Sequence, residues 1–244
     1  MAQGAPSQAI PFRAMVLAAG RGERLRPLTD SLPKPLVPIA GRSLLDRTLD
    51  RLVVAGIEDV VVNLHYLGAQ IRTQLAPRRD LKITYSEEAE ALETGGGLAH
   101  ALAHFQGRNF FAINGDVLWQ DFGPPALARL AAAWDDAKMD GLLLLQPVAR
   151  AVGYDGAGDF EMAADGCLER RQGSSAPFVF TGVQLLHPRL FDTAPEGRFS
   201  LNLLYDQALS KGRLFGLAHK GAWFHIGTLS GLAMVEENFQ EGQP

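Results

Sequence analysis

A stretch rich in glycine and cations lies near the start of the chain, LAAGRGERLRPLTDSLPKPL at 17–36. Gly20 and Gly22 allow backbone N–H groups to turn towards an anion, and Arg24 can bind a phosphate with two parallel hydrogen bonds. Lys34 lies between two prolines that restrict the backbone and so fix the direction of its ammonium group. These residue types allow either a cradle for phosphate groups or a surface turn with solvated cations.

The stretch matches neither of the two common nucleotide-binding motifs. A dinucleotide-binding loop needs a third glycine, which lets helix and strand pack closely, and Leu25 stands at that position. The Gly-Lys-Ser/Thr ending of a P-loop is also absent. A dinucleotide-dependent oxidoreductase is therefore disfavoured.

A lone carboxylate, Asp116, follows an apolar segment in the turn Asn-Gly-Asp. A carboxylate at the carboxyl end of a strand suits magnesium, which prefers oxygen ligands. The same three residues also favour an ordinary turn. The spacing alone leaves both a metal-binding and a structural role open.

The elements that position these residues alternate through the first 150 residues. Strand-like segments lie at 13–18, 58–64, 81–86, 109–114 and 140–148, with helix-like segments at 43–56, 67–75, 95–105 and 125–134. Short apolar strands joined by amphipathic helices predict a parallel sheet that is covered on both faces. Such sheets bind ligands beyond the carboxyl ends of their strands.

The pattern changes after residue 150. A stretch rich in Gly and Asp at 153–187 predicts a small antiparallel lobe, followed by a helix at 201–212, a hairpin at 213–227 and a helix from Thr228. We therefore predict an α/β fold, a Rossmann-like doubly wound and mostly parallel sheet with a small antiparallel lobe. Residues 1–11 are predicted to be a disordered tail, and 12–244 a single domain.

Composition excludes several classes of protein. The net charge of −4 argues against broad capture of nucleic acid. The single cysteine, Cys167, excludes an internal disulfide and fits a reducing cytoplasm. The longest apolar run is too short to span a bilayer, and the amino terminus lacks the pattern of a signal peptide. We expect a cytoplasmic enzyme without membrane or nucleic-acid partners, as a monomer or a small homo-oligomer.

Taken as a whole, LAAGRGERLRPLT…LPKPL resembles the signature of the sugar-1-phosphate nucleotidyltransferases. ETGGGLAHAL, FFAINGDVLW, FVFTGVQLLHP and FSLNLLYDQAL follow in that family's order, so the resemblance covers nearly all of 12–240. It implies a GT-A-like domain in which 12–150 bind the nucleotide and 151–244 bind the sugar. It also implies transfer of a nucleotidyl group from a nucleoside triphosphate to a sugar 1-phosphate, with release of pyrophosphate.

Substrate choice is weakly encoded, because glycine backbone does most of the base recognition. The resemblance favours UTP and N-acetylmuramate 1-phosphate, and thus recycling of peptidoglycan sugars. Guanylyl, cytidylyl or thymidylyl transfer to another hexose or heptose 1-phosphate stays open. So does a different class of function, a catalytically silent subunit that binds a nucleotide sugar and regulates a partner.

The resemblance also implies roles for individual residues. Arg24 would hold the leaving phosphates, Lys34 would lie against the α-phosphate and the sugar phosphate, and Asp116 would bind Mg²⁺. The residues implied for nucleotide binding are Leu17, Ala18, Ala19, Gly20, Gly22, Glu93, Thr94, Gly95 and Gly96. The last four could instead be a flexible helix start. Arg21 and Arg26 are weaker candidates for phosphate binding, and Glu87 and Glu88 for contact with the base.

The sugar pocket would include Thr181, Gly182 and Asn202. The first two could instead be ordinary strand residues, with the glycine avoiding a clash, and Asn202 could simply cap a helix. Where many relatives carry a Glu-Lys-Pro strand, this chain has LERRQ. Of Arg170 and Arg171, at most one can face the site, because successive strand residues point to opposite faces.

His225 is the main departure from the family pattern, since many relatives have an aspartate there as a second metal ligand. Imidazole is a poorer partner for magnesium than oxygen. His225 could ligate Mn²⁺ instead, bind a metal-held water or a phosphate oxygen, or simply pack. We favour the second of these roles.

Overall fold

The structure is a computed structural model that describes residues 13–239. The tail predicted at 1–11 lies outside the described residues, as do residue 12 and the last five residues of the predicted domain.

The described chain alternates strands and helices in its first half, as expected. The strands are β1 (Arg13–Leu17), β2 (Pro38–Ile39), β3 (Arg42–Ser43), β4 (Asp59–Leu64), β5 (Lys82–Glu87), β6 (Phe110–Asn114), β7 (Leu118–Gln120), β8 (Gly141–Pro147), β9 (Ala151–Val152), β10 (Phe160–Met162), β11 (Leu168–Arg170), β12 (Phe178–Leu186), β13 (Leu214–Ala218) and β14 (Ala222–Phe224). The helices are α1 (Leu44–Val54), α2 (Gly68–Leu75), α3 (Glu93–Ala101), α4 (Ala126–Ala133), α5 (Asn202–Ser210) and α6 (Leu229–Asn238).

A nine-stranded sheet forms the centre of the fold. Strands β5, β4, β1 and β6 are parallel neighbours in that order. Strand β12 lies antiparallel between β6 and β8, and β13 pairs parallel with β8. A mixed α/β fold with a mostly parallel central sheet, as predicted, is confirmed.

Three details differ from the sequence-based expectation. The strand predicted at 140–148, which is β8, does not pair directly with the four parallel strands. The long apolar β12 lies between them and pairs with β6 along one edge and with β8 along the other. The antiparallel lobe predicted at 153–187 is therefore continuous with the central sheet: β12 belongs to that sheet, and β10–β11 extend it. The hairpin predicted at 213–227 is wrong, because β13 pairs with β8 while β14 pairs with β7 and β9.

Both faces of the sheet are buried, which explains its near-continuous apolar strands. In β1, Ala14 and Val16 pack on the side of α1, α2 and α4, whereas Met15 packs on the side of α3 and α5. Ser43 caps α1 by accepting a hydrogen bond from the N–H of Asp46. Among residues 13–239, no helix is long and apolar enough to cross a membrane.

Candidate active site

The carboxyl ends of three neighbouring strands place Asp116. Leu17 at the end of β1 lies beside Asn63 of β4 and Asn114 of β6. The N–H of Gly115 donates to the carbonyl oxygen of Leu17 at 2.8 Å, so the turn after β6 is held against β1. Asp116 follows this anchored turn and therefore lies beside the loop that leaves β1.

The loop after β1 is shaped by Gly22 and open at Gly20. Gly22 has a φ of +63°, and a Cβ on it would lie 2.9 Å from the Cβ of Lys34, so only glycine lets this backbone pass so near the lysine. A Cβ on Gly20 would meet nothing within 4 Å. Leu25, at the position of the missing third glycine, is fully buried in an apolar cluster beneath the loop.

Three charged side chains converge beside this loop. The Nζ of Lys34 lies 2.6 Å from Oδ2 of Asp116, in an ion pair that is partly shielded from solvent. The side chain of Arg24 is exposed and has no ion pair or hydrogen bond within the described part of the chain. All three side chains line the same two adjoining cavities, so two cations and one carboxylate face a shared space.

We call these two cavities the larger and the smaller cavity. The larger, of about 750 Å³, extends from the glycine loop to the start of α3. The smaller, of about 260 Å³, lies beneath β12 and β14. They share Arg24, Lys34, Asn114 and Asp116, so the charged residues stand at their junction.

Most of the residues predicted to bind a nucleotide line the larger cavity: Leu17, Ala19, Gly20, Gly22, Glu93 and Thr94. Ala18, Gly95 and Gly96 do not line it. The N–H of Ala18 instead donates to Oδ1 of Asn63 at 2.6 Å, which braces the loop against β4.

Gly95 and Gly96 serve close packing rather than a free backbone surface. Their N–H groups donate to the carbonyl oxygen of Phe199, at 3.0 and 3.1 Å. A Cβ on Gly95 would lie 2.4 Å from the Phe199 ring, and one on Gly96 would lie 2.3 Å from the carbonyl oxygen of Gly197. These N–H groups are therefore not free to pair with a base, and the segment before α5 holds the start of α3 in place.

A chain of buried hydrogen bonds supports the wall of the larger cavity. The Nδ2 of Asn63 donates to Oε1 of Glu88 at 2.6 Å, and Oε2 of Glu88 accepts the N–H of Leu92 at 3.0 Å. Glu88 is 6% exposed and lines the cavity, so it is not a solvated surface acid. Glu87 instead points outward and pairs with Arg72.

Among the residues predicted to contact the sugar, Thr181 and Gly182 line the smaller cavity. The hydroxyl of Thr181 is buried and donates to the carbonyl oxygen of Leu144 at 2.8 Å. Gly182 has a φ of +86°, and a Cβ on it would lie 2.5 Å from Val117. Thr181 and Gly182 therefore shape the cavity through their backbone, at an irregularity in the pairing of β12 with β8.

Asn202 lines neither cavity. Its Oδ1 accepts a hydrogen bond from Arg170 at 2.9 Å, and its side chain caps no helix. The interactions of Asn202 thus differ from both predicted roles, because the antiparallel pair β10–β11 brings Arg170 over the start of α5.

His225 lines the smaller cavity next to the charged junction. Its ring packs edge-on against Tyr154, with centroids 5.5 Å apart, and lies 5.6 Å from the ring of Trp223. Burial lowers the pKa of His225, and the positive charges of Lys34 and Arg24 lower it further. The ring is therefore neutral near pH 7 and can accept a hydrogen bond.

The donor set allows a metal ion only if the substrate completes its ligands. Within residues 13–239, no group of three or more His, Cys, Asp or Glu side chains could hold a metal ion. Magnesium commonly binds to one or two carboxylates plus substrate phosphates and water. Asp116, one-third exposed and facing both cavities, fits that arrangement and does not fit an all-protein cage.

The remaining predicted cations divide between the cavity and the surface. Arg21 lines the larger cavity. Arg26 pairs with Asp30 at 3.1 Å on the surface, and Arg170 pairs with Asp206 at 2.8 Å.

Several residues of the site were missed at the level of sequence. Asn63, Arg198 and Tyr154 line the cavities but formed no recognised motif. For Asn63, its position near the end of the apolar run VVVNL was a usable signal. The other two carry no local signal, because their positions follow from the packing of distant segments.

The fold and the site together define a class of protein. The profile of the nucleotidyl transferase family matches residues 13–241, and the chain belongs to that family. It is similar to N-acetylmuramate alpha-1-phosphate uridylyltransferase of Caulobacter vibrioides, with 42% identity over 89% of this chain and 92% of the relative. The enzyme of the same name from Neisseria meningitidis serogroup B is 35% identical over 89% of this chain and 94% of its own length.

Solved structures show the same fold. A putative glucose-1-phosphate thymidylyltransferase from Bacillus anthracis superposes with a TM-score of 0.77 at 18% identity, covering 95% of this chain and 97% of its own. At that identity the likeness concerns the fold alone.

Proposed function

We propose that the protein transfers a uridylyl group from UTP to N-acetylmuramate 1-phosphate, giving the nucleotide sugar and pyrophosphate. The observation that carries the proposal is the meeting of Arg24, Lys34 and Asp116 at the junction of a large and a small cavity. The larger cavity offers room for a nucleotide, and the smaller one for a sugar. The choice of UTP and of the sugar rests on the relatives at 42% and 35% identity.

The junction suits an in-line displacement at the α-phosphorus of UTP. An oxygen of the sugar phosphate attacks that phosphorus while its bond to pyrophosphate breaks, so negative charge grows on the leaving group. Lys34 orients the two reacting phosphates, and Arg24, which has no partner in the described chain, binds the leaving pyrophosphate. Preorganised charges of this kind usually make the largest contribution to such catalysis.

Asp116 would hold Mg²⁺, or Mn²⁺, together with substrate oxygens and water, and the ion supplies positive charge that neutralises the triphosphate. In the described structure Lys34 pairs with Asp116. That pair holds the carboxylate in place at the junction. The neutral ring of His225 accepts a hydrogen bond from a water or a hydroxyl at the same junction.

The test is release of pyrophosphate from four nucleoside triphosphates, each paired with several sugar 1-phosphates, with magnesium or manganese. We expect the highest kcat/KM for UTP with N-acetylmuramate 1-phosphate. Faster turnover of GTP, CTP or dTTP would reassign the base and keep the reaction class. Binding of the nucleotide sugar without any turnover would instead support the silent regulatory subunit and refute the proposal.

A further inference from the structure

We propose that Arg171 selects an acidic sugar, by binding a carboxylate on the sugar beside Tyr154 and Asp159 of the smaller cavity. The inference rests on the proposed function and deepens it, since it assigns the recognition of the sugar to a residue outside the phosphate-binding junction.

Strand pairing places Arg171 on the cavity side of the sheet. Phe160 of β10 pairs with Arg170 of β11. One residue further, the N–H of Arg171 donates to the carbonyl oxygen of Asp159 at 3.1 Å. Directly opposed residues of an antiparallel pair share a face of the sheet. Because Asp159 lines the smaller cavity, Arg171 lies on the same face as that cavity.

Arg170 occupies the opposite face. Its guanidinium lies 4.9 Å from the centre of the Phe160 ring and bonds to Asp206 and Asn202 at the start of α5. Phe160 belongs to the apolar cluster on the side of α3 and α5, whereas Tyr154 packs against the cluster on the other side. The alternation of strand residues thus separates the two arginines.

The side chain of Arg171 is free to bind a ligand. It is exposed and has no ion pair or hydrogen bond within residues 13–239. Its charge reaches the cavity wall: burial is the main cause of the raised pKa of the Tyr154 phenol, and the charge of Arg171 acts against that rise.

Apart from the junction, the surroundings of the smaller cavity have the wrong charge for an acidic sugar unless Arg171, which does not itself line the cavity, takes part. Asp159 lies there with Oδ2 bonded to the N–H of Phe180 at 2.9 Å. Asp155 is exposed nearby and acts electrostatically on Tyr154 and His225. In the proposed function the cations of the junction, Arg24 and Lys34, bind the phosphates.

The chemistry of the proposed substrate fits this arrangement. N-acetylmuramate is N-acetylglucosamine with a lactyl ether on C3, which adds one carboxylate. With the phosphate on C1 held at the junction, the sugar occupies the smaller cavity, whose lining includes Tyr154 and Asp159. A guanidinium binds a carboxylate through two parallel hydrogen bonds and so supplies both charge and direction.

The experiment compares N-acetylmuramate 1-phosphate with N-acetylglucosamine 1-phosphate, with UTP, in Arg171→Gln and Arg171→Glu. The matched control is Arg170→Gln, a neighbouring arginine on the other face. We expect the ratio of kcat/KM between the acidic and the neutral sugar to fall about tenfold in Arg171→Gln, as for loss of a charge-assisted hydrogen bond at a partly exposed site. It should fall further in Arg171→Glu and stay unchanged in Arg170→Gln.

The outcomes separate this inference from the proposed function. An equal loss with both sugars would assign Arg171 to the phosphate or to structure and overturn the inference, as would an unchanged ratio. Wild-type protein that transfers uridylyl to neither sugar contradicts the proposed function itself. Calorimetric binding of N-acetylmuramate 1-phosphate to wild type and Arg171→Gln tests the inference in that case also, and equal affinities would overturn it.

Discussion

Replacing Lys34 with methionine separates the charge of this residue from its packing. The Cβ of Lys34 lies close to Gly22, and methionine keeps a long unbranched side chain at that contact. The ammonium group that pairs with Asp116 is lost. We expect kcat to fall by about 10² to 10³, because removal of one preorganised charge from a transition state costs about 2.7–4 kcal/mol.

Stability should change little in the same variant. The Asp116 side chain is 33% exposed and that of Lys34 is 13% exposed, so water can solvate the carboxylate after its partner is removed. Partly exposed ion pairs contribute at most about 1 kcal/mol. For a domain of this size that corresponds to a fall in Tm of roughly 2–4 °C.

The assay is release of pyrophosphate at saturating substrates, together with thermal unfolding. Arg26→Gln is the matched control, because it removes a cation from the same loop whose partner, Asp30, lies on the surface. The control should keep kcat within about twofold, as surface substitutions usually have small effects. A Lys34→Met enzyme with kcat within tenfold of wild type, or an equal loss in Arg26→Gln, would refute the assignment.

Three further predictions follow from the site and its surroundings. Asp116→Asn should abolish metal-dependent turnover and keep the fold; full activity in this variant would remove Asp116 from the mechanism. Gly96→Ala should lower the free energy of unfolding, measured in urea, by about 1–3 kcal/mol, since its Cβ would lie 2.3 Å from a backbone oxygen. The control Gly20→Ala, with open space around it, should leave stability unchanged. Equal effects of the two substitutions would contradict the packing role of Gly96. Burial lowers the pKa of His187 and His219 below 6.5. Because the unfolded chain then binds more protons than the folded one, stability should fall as the pH drops from 7 to 5. A urea midpoint that stays constant or rises on acidification would contradict this prediction.

A substitution at His225 tests its link to the metal. His225→Asp should shift the metal preference towards magnesium, since carboxylate is the harder ligand. The measurement is turnover across a magnesium and manganese series. An unchanged metal profile would place His225 outside the metal's surroundings.

Local sequence was sufficient for the elements of the first half and for part of the site. The apolar segments predicted β1, β4, β5 and β6, because buried parallel strands need continuous apolar residues. Gly22 and Asp116 were also recognisable locally, because a glycine in a loop and a carboxylate directly after a strand are both visible in a few neighbouring residues. Ser43 and Thr228, predicted at helix starts, are the observed caps of α1 and α6.

Only the tertiary structure decided the rest, since it depends on segments far apart in the chain. Pairing of β12 with β6 and β8 made an antiparallel strand from after residue 150 part of the central sheet. The carbonyl oxygen of Phe199 accepts hydrogen bonds from the N–H groups of Gly95 and Gly96, which lie about one hundred residues earlier in the chain. A short apolar strand could pair with several other strands, and a glycine N–H could donate to several acceptors, with little difference in the local sequence. Burial and close packing in the folded chain decide which pairing forms, and no short segment encodes them.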